Sequence, residues 1–446
     1  MRIVVYGVGR VGTKIAETMY EEGYDITIIG DNEKKIEQIQ KTLDVLSIVG
    51  RIGDEHVVES SGMKDADIFI AVTDSDEENI IASIIAKNQN VRKTIARIRN
   101  PAYLNEVMLD ASVIGIDHVI NPEKEVANEI LRLIRTPWAS EVDSFIKGKV
   151  LLVEIKVNND NVGYLNTKLV EVSETGNNII VIESDNSIKK LRLFDQHQRV
   201  KISEHVFVLE RVTDVGKVNK IFGDAYKKIQ NVMIAGGGVT GSELLSILEN
   251  SGIKTKLIEQ NKGICNSLSK KFKNSMILCG DATDLALLLS ENIEKIDCFI
   301  AITGDDEENV MISLLAKQHG VKKAITKISK DYEEDIMARI GLDAAVNLNK
   351  VTTNKILQFV RRQELLAMSI LNENLAIMEF VVDESSKITK KTFKEAQFIR
   401  GAIIGAISHG EEIIFPKKDF RVEANSEVLV FAHRKVARAV EKYFKG

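Results

Sequence analysis

One pattern occurs twice in this chain and limits its fold more than any other feature. The run Ile3-Val4-Val5-Tyr6-Gly7-Val8-Gly9-Arg10-Val11-Gly12 returns as Val232-Met233-Ile234-Ala235-Gly236-Gly237-Gly238-Val239-Thr240-Gly241. At almost the same offset, Phe69-Ile70-Ala71-Val72-Thr73-Asp74-Ser75-Asp76-Glu77-Glu78-Asn79 returns as Phe299-Ile300-Ala301-Ile302-Thr303-Gly304-Asp305-Asp306-Glu307-Glu308-Asn309. Two long matches at one spacing mark an internal duplication.

Each copy opens with short apolar runs alternating with amphipathic stretches. In the first copy the strand-like runs are 26–29, 68–72 and 94–98, and the helix-like stretches are 11–22 and 78–87. That alternation reads as βαβ units on a parallel sheet. Each copy then changes character. Strand-like runs with Gly and Asn turns lie at 150–157, 179–183 and 205–212, and again at 375–382, 402–408 and 427–432. Linkers are expected near Thr136-Pro137 and near 216–228. The expected fold is α/β: two doubly wound parallel-sheet domains of Rossmann type, at 1–135 and 229–360. A small α+β domain follows each, at 136–217 and 366–446.

Composition narrows the class. Of the 446 residues, 44% are hydrophobic and 28% charged, as in an ordinary globular protein. A net charge of -5 argues against a general nucleic-acid binder, which carries a strongly basic face. No apolar run approaches the roughly 20 residues of a membrane helix. The first residues read as a strand, so no signal peptide is expected. Its cysteines are Cys265, Cys279 and Cys298, without CxxC spacing. Neither a disulfide framework nor a zinc site is expected, and a reducing cytosol fits. Cys298, inside Cys298-Phe299-Ile300-Ala301-Ile302, reads as a packed strand residue.

Both glycine loops follow an apolar strand and open a helix, the context that gives GxGxxG its meaning. The first glycine (Gly7, Gly236) permits the tight turn. The second (Gly9, Gly238) lets phosphates approach the backbone, and the third (Gly12, Gly241) lets helix and strand pack closely. The helix N-terminus then offers free N–H groups to phosphate oxygens. The whole loops, with Val8, Arg10, Val11, Gly237, Val239 and Thr240, are therefore cofactor-binding candidates. In this pattern an acidic residue at the end of the second strand holds the ribose hydroxyls. Glu259 occupies that place in the second copy. The first copy has Gly30 there and Asp31 one residue later; Asp31 either reaches the ribose or caps the next helix.

Arg10 opposes the helix dipole by about 0.3–1 kcal/mol unless phosphate oxygens reverse the sign. It is read as a phosphate ligand, the alternative being a solvated surface arginine. The second copy has Val239 at that place, so the two sites are expected to differ. Thr73, Asp74 and Thr303 sit at strand ends facing a ligand. The acidic clusters after them read as favourable first-turn helix charge. Gly280-Asp281-Ala282-Thr283 can contact adenine, and the first copy is read as having Gly53-Asp54-Glu55-His56 instead. Arg97 and Lys327 occupy equivalent strands and either approach ligand phosphates or make surface ion pairs.

The order of these motifs resembles the RCK/KTN domains that regulate potassium transport. It includes Ala96-Arg97-Ile98-Arg99-Asn100-Pro101 and Gly115-Ile116-Asp117-His118-Val119-Ile120-Asn121-Pro122-Glu123. The doubled arrangement is similar to the regulatory subunits of Trk potassium-uptake systems, over almost the whole chain. The match is looser in the small modules, mainly at Gly401-Ala402-Ile403-Ile404-Gly405-Ala406-Ile407 and Ile413-Ile414-Phe415-Pro416. The resemblance implies a cytoplasmic protein, peripheral on the inner face of the membrane, forming a homo-oligomeric ring (a tetramer) beneath a potassium-translocating subunit. It implies binding of NAD(H) and of ATP or ADP. It also implies that Glu123 helps hold a cation, unless that carboxylate only serves a helix N-terminus. A hydride-transfer enzyme is the competing class. None of the seven histidines, His56, His118, His197, His205, His319, His409 and His433, makes a metal or triad-like pattern with other residues. His118 reads as structural.

Overall fold

A computed structural model describes residues 1–104, 115–136, 138–139, 141–157, 161–185, 188–197, 199–202, 204–222, 229–330, 340–361, 366–372, 375–390, 398–416 and 420–445. It divides into two units, Met1–Ile130 with Val232–Val360, and Leu131–Asn231 with Arg361–Gly446. The corresponding parts of the two copies therefore share a unit.

The strands, in chain order, fall into four sheets. The first holds β1 (Arg2–Tyr6), β2 (Asp25–Gly30), β3 (Leu46–Val49), β4 (Ile68–Ala71), β5 (Lys93–Arg97) and β6 (His118–Ile120), in the order β3-β2-β1-β4-β5-β6. The second holds β7 (Glu141–Phe145), β8 (Val150–Lys156), β9 (Asn178–Asp185), β10 (Ile188–Leu193) and β11 (His205–Arg211). The third holds β12 (Asn231–Ala235), β13 (Lys254–Glu259), β14 (Met276–Cys279), β15 (Cys298–Ala301), β16 (Lys323–Ile328) and β17 (Ala344–Asn347), and repeats the order of the first. The fourth holds β18 (Leu366–Asn372), β19 (Leu375–Val381), β20 (Ala402–His409), β21 (Glu412–Ile414) and β22 (Glu427–His433).

In the first unit β1 pairs in parallel with both β2 and β4, and β12 pairs in parallel with β15. Strands covered on both faces read as unbroken apolar runs, which is why Ile3, Val4 and Val5 are all fully buried. The helix Arg10–Glu21 places Val11, Ile15 and Met19 on one stripe against the sheet. Burying side chains the size of Ile15 or Met19 contributes roughly 1.5–3 kcal/mol each. Strand order reverses between β1 and β4, and between β12 and β15. The crevice outside the carboxyl ends of those strands is where such sheets bind ligands. The helix Leu348–Arg361 adds Ile356, Leu357 and Val360 to the first sheet's core, and His118 stacks on Phe359 with centroids 4.3 Å apart. His118 is thus a packing residue.

The second unit contains two five-stranded antiparallel sheets with a shared core. Phe145, Leu152, Ile180 and Phe207 of one meet Leu375, Ile377, Leu429 and Phe431 of the other. Part of the segment read as a linker is a helix, Val215–Phe222, with Val218 and Phe222 fully buried and Trp138 stacked on Phe222. Its apolar positions lie one turn apart, a spacing that a linker reading overlooks.

Candidate functional site

The second copy builds an open cavity of about 330 Å³ at its switch point. The glycine loop shapes it from below. Gly236 has φ +113°, and a Cβ there would stand 2.8 Å from the Ile302 carbonyl oxygen. A Cβ on Gly241 would lie 2.1 Å from the Gly236 oxygen, so only glycine lets the helix Val239–Asn250 sit this close. Gly238 is the N-cap, in extended backbone, and a Cβ there meets nothing. Val239 and Thr240 line the cavity with it.

Glu259 closes one side. Its carboxylate accepts from the Gly237 N–H at 2.8 Å and from the Asn261 N–H at 2.7 Å. Gly280, Asp281 and Ala282 line the far wall, with Thr303 and Lys327 above the β15 end. Asp281 already accepts from the backbone and hydroxyl of Thr283, which hold its carboxyl below the usual range. Thr303 is set by Asn309, whose amide oxygen accepts from the Thr303 N–H at 2.8 Å and whose NH₂ donates to the Lys327 carbonyl at 3.1 Å. Burial lowers the pKa of the Lys327 ammonium, with Asp306 and Glu123 opposing in part.

Glu123 also lines this cavity, although it belongs to the first copy. Burial pushes its carboxyl above the ordinary range, opposed by Arg97 and Arg99. Its Oε2 is buried with no hydrogen-bond partner. Among the described residues no group of three or more His, Cys, Asp or Glu gathers in a way that could hold a metal. The charges acting on Glu123 are mainly cationic, Asp76 being the exception.

The first copy reproduces the backbone but exchanges the side chains. Gly7 has φ +122°, and a Cβ on Gly12 would lie 1.9 Å from the Gly7 oxygen. Gly9 is open like Gly238. Val8, however, stands where the second copy has Gly237, and it is buried. A Cβ on Gly30 would be 2.6 Å from a Val8 methyl. A bulky loop residue thus excludes a strand-end carboxylate, and a glycine in the loop admits one. The Val11 side chain packs in the core, because the helix turns it to face the sheet.

Asp31 does not cap the next helix; Asn32 does, accepting from the Lys35 N–H. Asp31 instead pairs with Arg51 at 3.0 Å. Arg51 escaped the sequence reading because the third strands were aligned on the wrong residues. Gly30 pairs with Val49 and Glu259 with Cys279, so Gly50-Arg51-Ile52-Gly53 is the true counterpart of Gly280-Asp281-Ala282-Thr283. Asp54 corresponds instead to Asp284, and both cap short helices. The second position after the third strand therefore carries an arginine in one copy and an aspartate in the other.

Thr73 is held by Asn79 as Thr303 is by Asn309, and Asp74 pairs with Arg97 at 3.3 Å. Arg97 is only 8% exposed while Asp74 is almost fully exposed, so the pair joins a buried guanidinium to a carboxylate at the surface. Its Nε lacks a partner, and burial with Arg99 nearby lowers its pKa. Arg10 projects from the first turn of its helix and donates to the Ser329 carbonyl of the second copy at 2.9 Å. The acidic clusters open the helices Asp76–Asn88 and Asp306–Gln318, and their first residues also tie down the loops after β5 and β16: Asp76 accepts from the Arg99 and Asn100 N–H groups, and Asp306 from those of Ser329 and Lys330. Among the described residues no helix is long and apolar enough to cross a membrane.

The TrkA-N domain family matches residues 3–122 and 232–348, and the TrkA-C domain family matches 377–445. The chain is 31% identical to the Trk system potassium uptake protein TrkA homolog of Archaeoglobus fulgidus, with all of both chains covered. It is 32% identical to the Trk system potassium uptake protein TrkA of Vibrio alginolyticus, covering 100% of this chain and 99% of the relative. Among solved structures, a GsuK channel bound to NAD superposes with a TM-score of 0.60 at 16% identity, over 100% of this chain and 79% of that one. That last likeness concerns the fold.

Proposed function

Because this chain belongs to the TrkA family of Trk potassium-uptake proteins, we propose that it is the nucleotide-sensing regulatory subunit of such a system. It gates a membrane potassium-translocating subunit from the cytoplasmic face, as part of a homo-oligomeric, tetrameric ring. The observation that carries the reading is the reciprocal exchange of Val8–Gly30 for Gly237–Glu259 on one backbone plan. The second site, with Glu259 for ribose and open N–H groups for the pyrophosphate, suits NAD(H). The first site, with Arg10, Arg51 and Arg97 near its phosphate and adenine ends, suits ADP or ATP. No residue is assigned a catalytic role.

Each site also touches the other copy. A nucleotide in the second site meets Glu123, and phosphate in the first site competes for the Arg10 guanidinium now on Ser329. Occupancy thereby biases how the two nucleotide domains engage. A ligand shifts a two-state ring only by its differential affinity for the states. Turning 1:99 into 99:1 takes about 5.5 kcal/mol, or about 1.4 kcal/mol from each of four equivalent sites.

The test is potassium flux through the membrane subunit reconstituted with this protein, with NADH, ADP and ATP added in turn. Flux and ring dimensions should respond differently to NADH and to the adenosine phosphates. Indifference to all three refutes the proposal. Stoichiometric NADH formation from NAD and a specific substrate would replace it with an enzymatic reading.

A further inference from the structure

Two of the chain's three cysteines meet beside the second nucleotide site. Cys279 ends β14 in register with Glu259, so the two side chains leave the same face of the sheet. Cys265 lies on the helix Lys262–Lys271, which packs on that face, and its Sγ donates to the Glu259 carbonyl at 3.1 Å. The same Glu259 carbonyl accepts from the N–H of Gly280, the residue after Cys279, at 3.0 Å, which brings the two cysteines side by side. Cys265 is buried and Cys279 is exposed.

The duplication supplies an internal comparison. Asn32 and Asn261 cap equivalent helices, so Cys265 corresponds to Ile36, and Cys279 corresponds to Val49. Both positions are aliphatic in the first copy, and both are cysteine in the second. An isolated buried cysteine needs no explanation beyond packing. A paired replacement across one contact, at the end of the strand that carries the ribose carboxylate, calls for one.

We propose that Cys265 and Cys279 are a redox-active dithiol that peroxide converts to a disulfide, and that this bond resets the second nucleotide site through Glu259. The proposal rests on the reading that this site holds NAD(H). Cys279 meets the oxidant first, because it is exposed and Cys265 is buried; burial and the neighbouring thiol also push Cys265 up to about 11. The Cys279 sulfur takes one peroxide oxygen, giving a sulfenic acid and one water. The Cys265 sulfur then attacks that sulfur and expels a second water, giving the disulfide. A dithiol reductant supplies the two electrons and two protons that reverse the step.

An S–S bond of about 2.05 Å draws the helix and the β14 end together. Glu259 lies in the path: its carboxylate holds Gly237 and Asn261, and its carbonyl accepts from the Gly280 N–H at 3.0 Å. Gly280 and Asp281 are cavity walls. Cys298 plays no part, since burial raises its thiol to about 12 in the strand interior.

The experiment uses the full chain, first reduced and then treated with stoichiometric hydrogen peroxide. Peptide mapping without reduction should find a Cys265–Cys279 crosslink lighter by two hydrogens. NADH titration should show affinity changed by about 5-fold or more between the reduced and oxidised forms. The Cys265→Ile/Cys279→Val double variant, which restores the first copy's pair, should lose the peroxide response. Irreversible oxidation of Cys279 without a crosslink overturns the dithiol. A crosslink with unchanged NADH affinity overturns the coupling. If the reduced protein binds no NADH yet the crosslink forms, the functional reading falls and the dithiol stands.

Discussion

Exchanging the reciprocal pair in the first copy separates steric from chemical control of the site. A Cβ on Gly30 would stand 2.6 and 2.7 Å from the two methyls of Val8, closer than packed carbons approach. Gly30→Glu alone should therefore destabilise by about 1–3 kcal/mol through overpacking. Val8→Gly alone removes a buried side chain and leaves a void, at about 2–3 kcal/mol. Together they leave room for a carboxylate that accepts from the residue 8 N–H, as Glu259 does from Gly237 at 2.8 Å. A hydrogen bond to a charged group contributes about 1.5–3 kcal/mol. The double variant should therefore be more stable than the sum of the singles by about 2 kcal/mol or more, measured as a denaturation cycle on four proteins. NADH stoichiometry should rise from one to two per chain. Additivity within about 0.5 kcal/mol would show that the two positions do not determine each other.

Other consequences are open to direct measurement. Glu259→Gln should weaken NADH binding by about 10- to 100-fold in calorimetry while leaving ADP binding at the first copy unchanged. Gly241→Ala should destabilise by about 3 kcal/mol, because its methyl meets a backbone oxygen that cannot move aside, whereas Gly238→Ala should melt close to the parent protein. Glu210 is fully buried with both carboxylate oxygens unpartnered, and burial, with Asp214 adding, raises it from 4.5 to about 8. Between those values the native protein holds a proton that the unfolded chain has released. Its contribution is therefore complete below pH 4.5 and is lost as pH rises through about 8, at no more than roughly 1.4 kcal/mol per pH unit. Glu210→Gln should flatten that slope and be the more stable protein at pH 8 and above, in denaturation curves taken across the window.

The sheets were legible because parallel strands leave long apolar runs and because the duplication supplied a second reading of each. The edges were not. β3 and β14 are half exposed, so Leu46 to Val49 carry no clean pattern, and the register that aligns Arg51 with Asp281 was missed there. Glycine spacing located both loops, but the sequence could not show that Val8 and Gly30 touch, since that is a contact between separate strand ends. Glu123 was singled out by resemblance; its position in the other copy's cavity depends on how two domains meet, which no local pattern encodes. Apart from Cys298, the cysteines were read only for what they exclude, because Cys265 and Cys279 are far from CxxC spacing and only the β13–β14 pairing brings them together.

Two inequivalent nucleotide sites are the core of this account, and titrating Gly9→Asp and Gly238→Asp with NADH and with ADP tests it most directly. Both glycines are N-caps in extended backbone with open space at Cβ, and aspartate is a favoured N-cap, so neither substitution should lower the melting temperature. The new carboxylate takes the N–H groups that phosphate would use. It also repels a phosphate charge about 5 Å away by roughly 3 kcal/mol at an effective dielectric of about 20, which weakens binding more than about 100-fold. The account predicts that Gly238→Asp loses NADH and keeps ADP, while Gly9→Asp loses ADP and keeps NADH. Equal loss of both ligands in either variant, or full retention of both in the two variants, would contradict it.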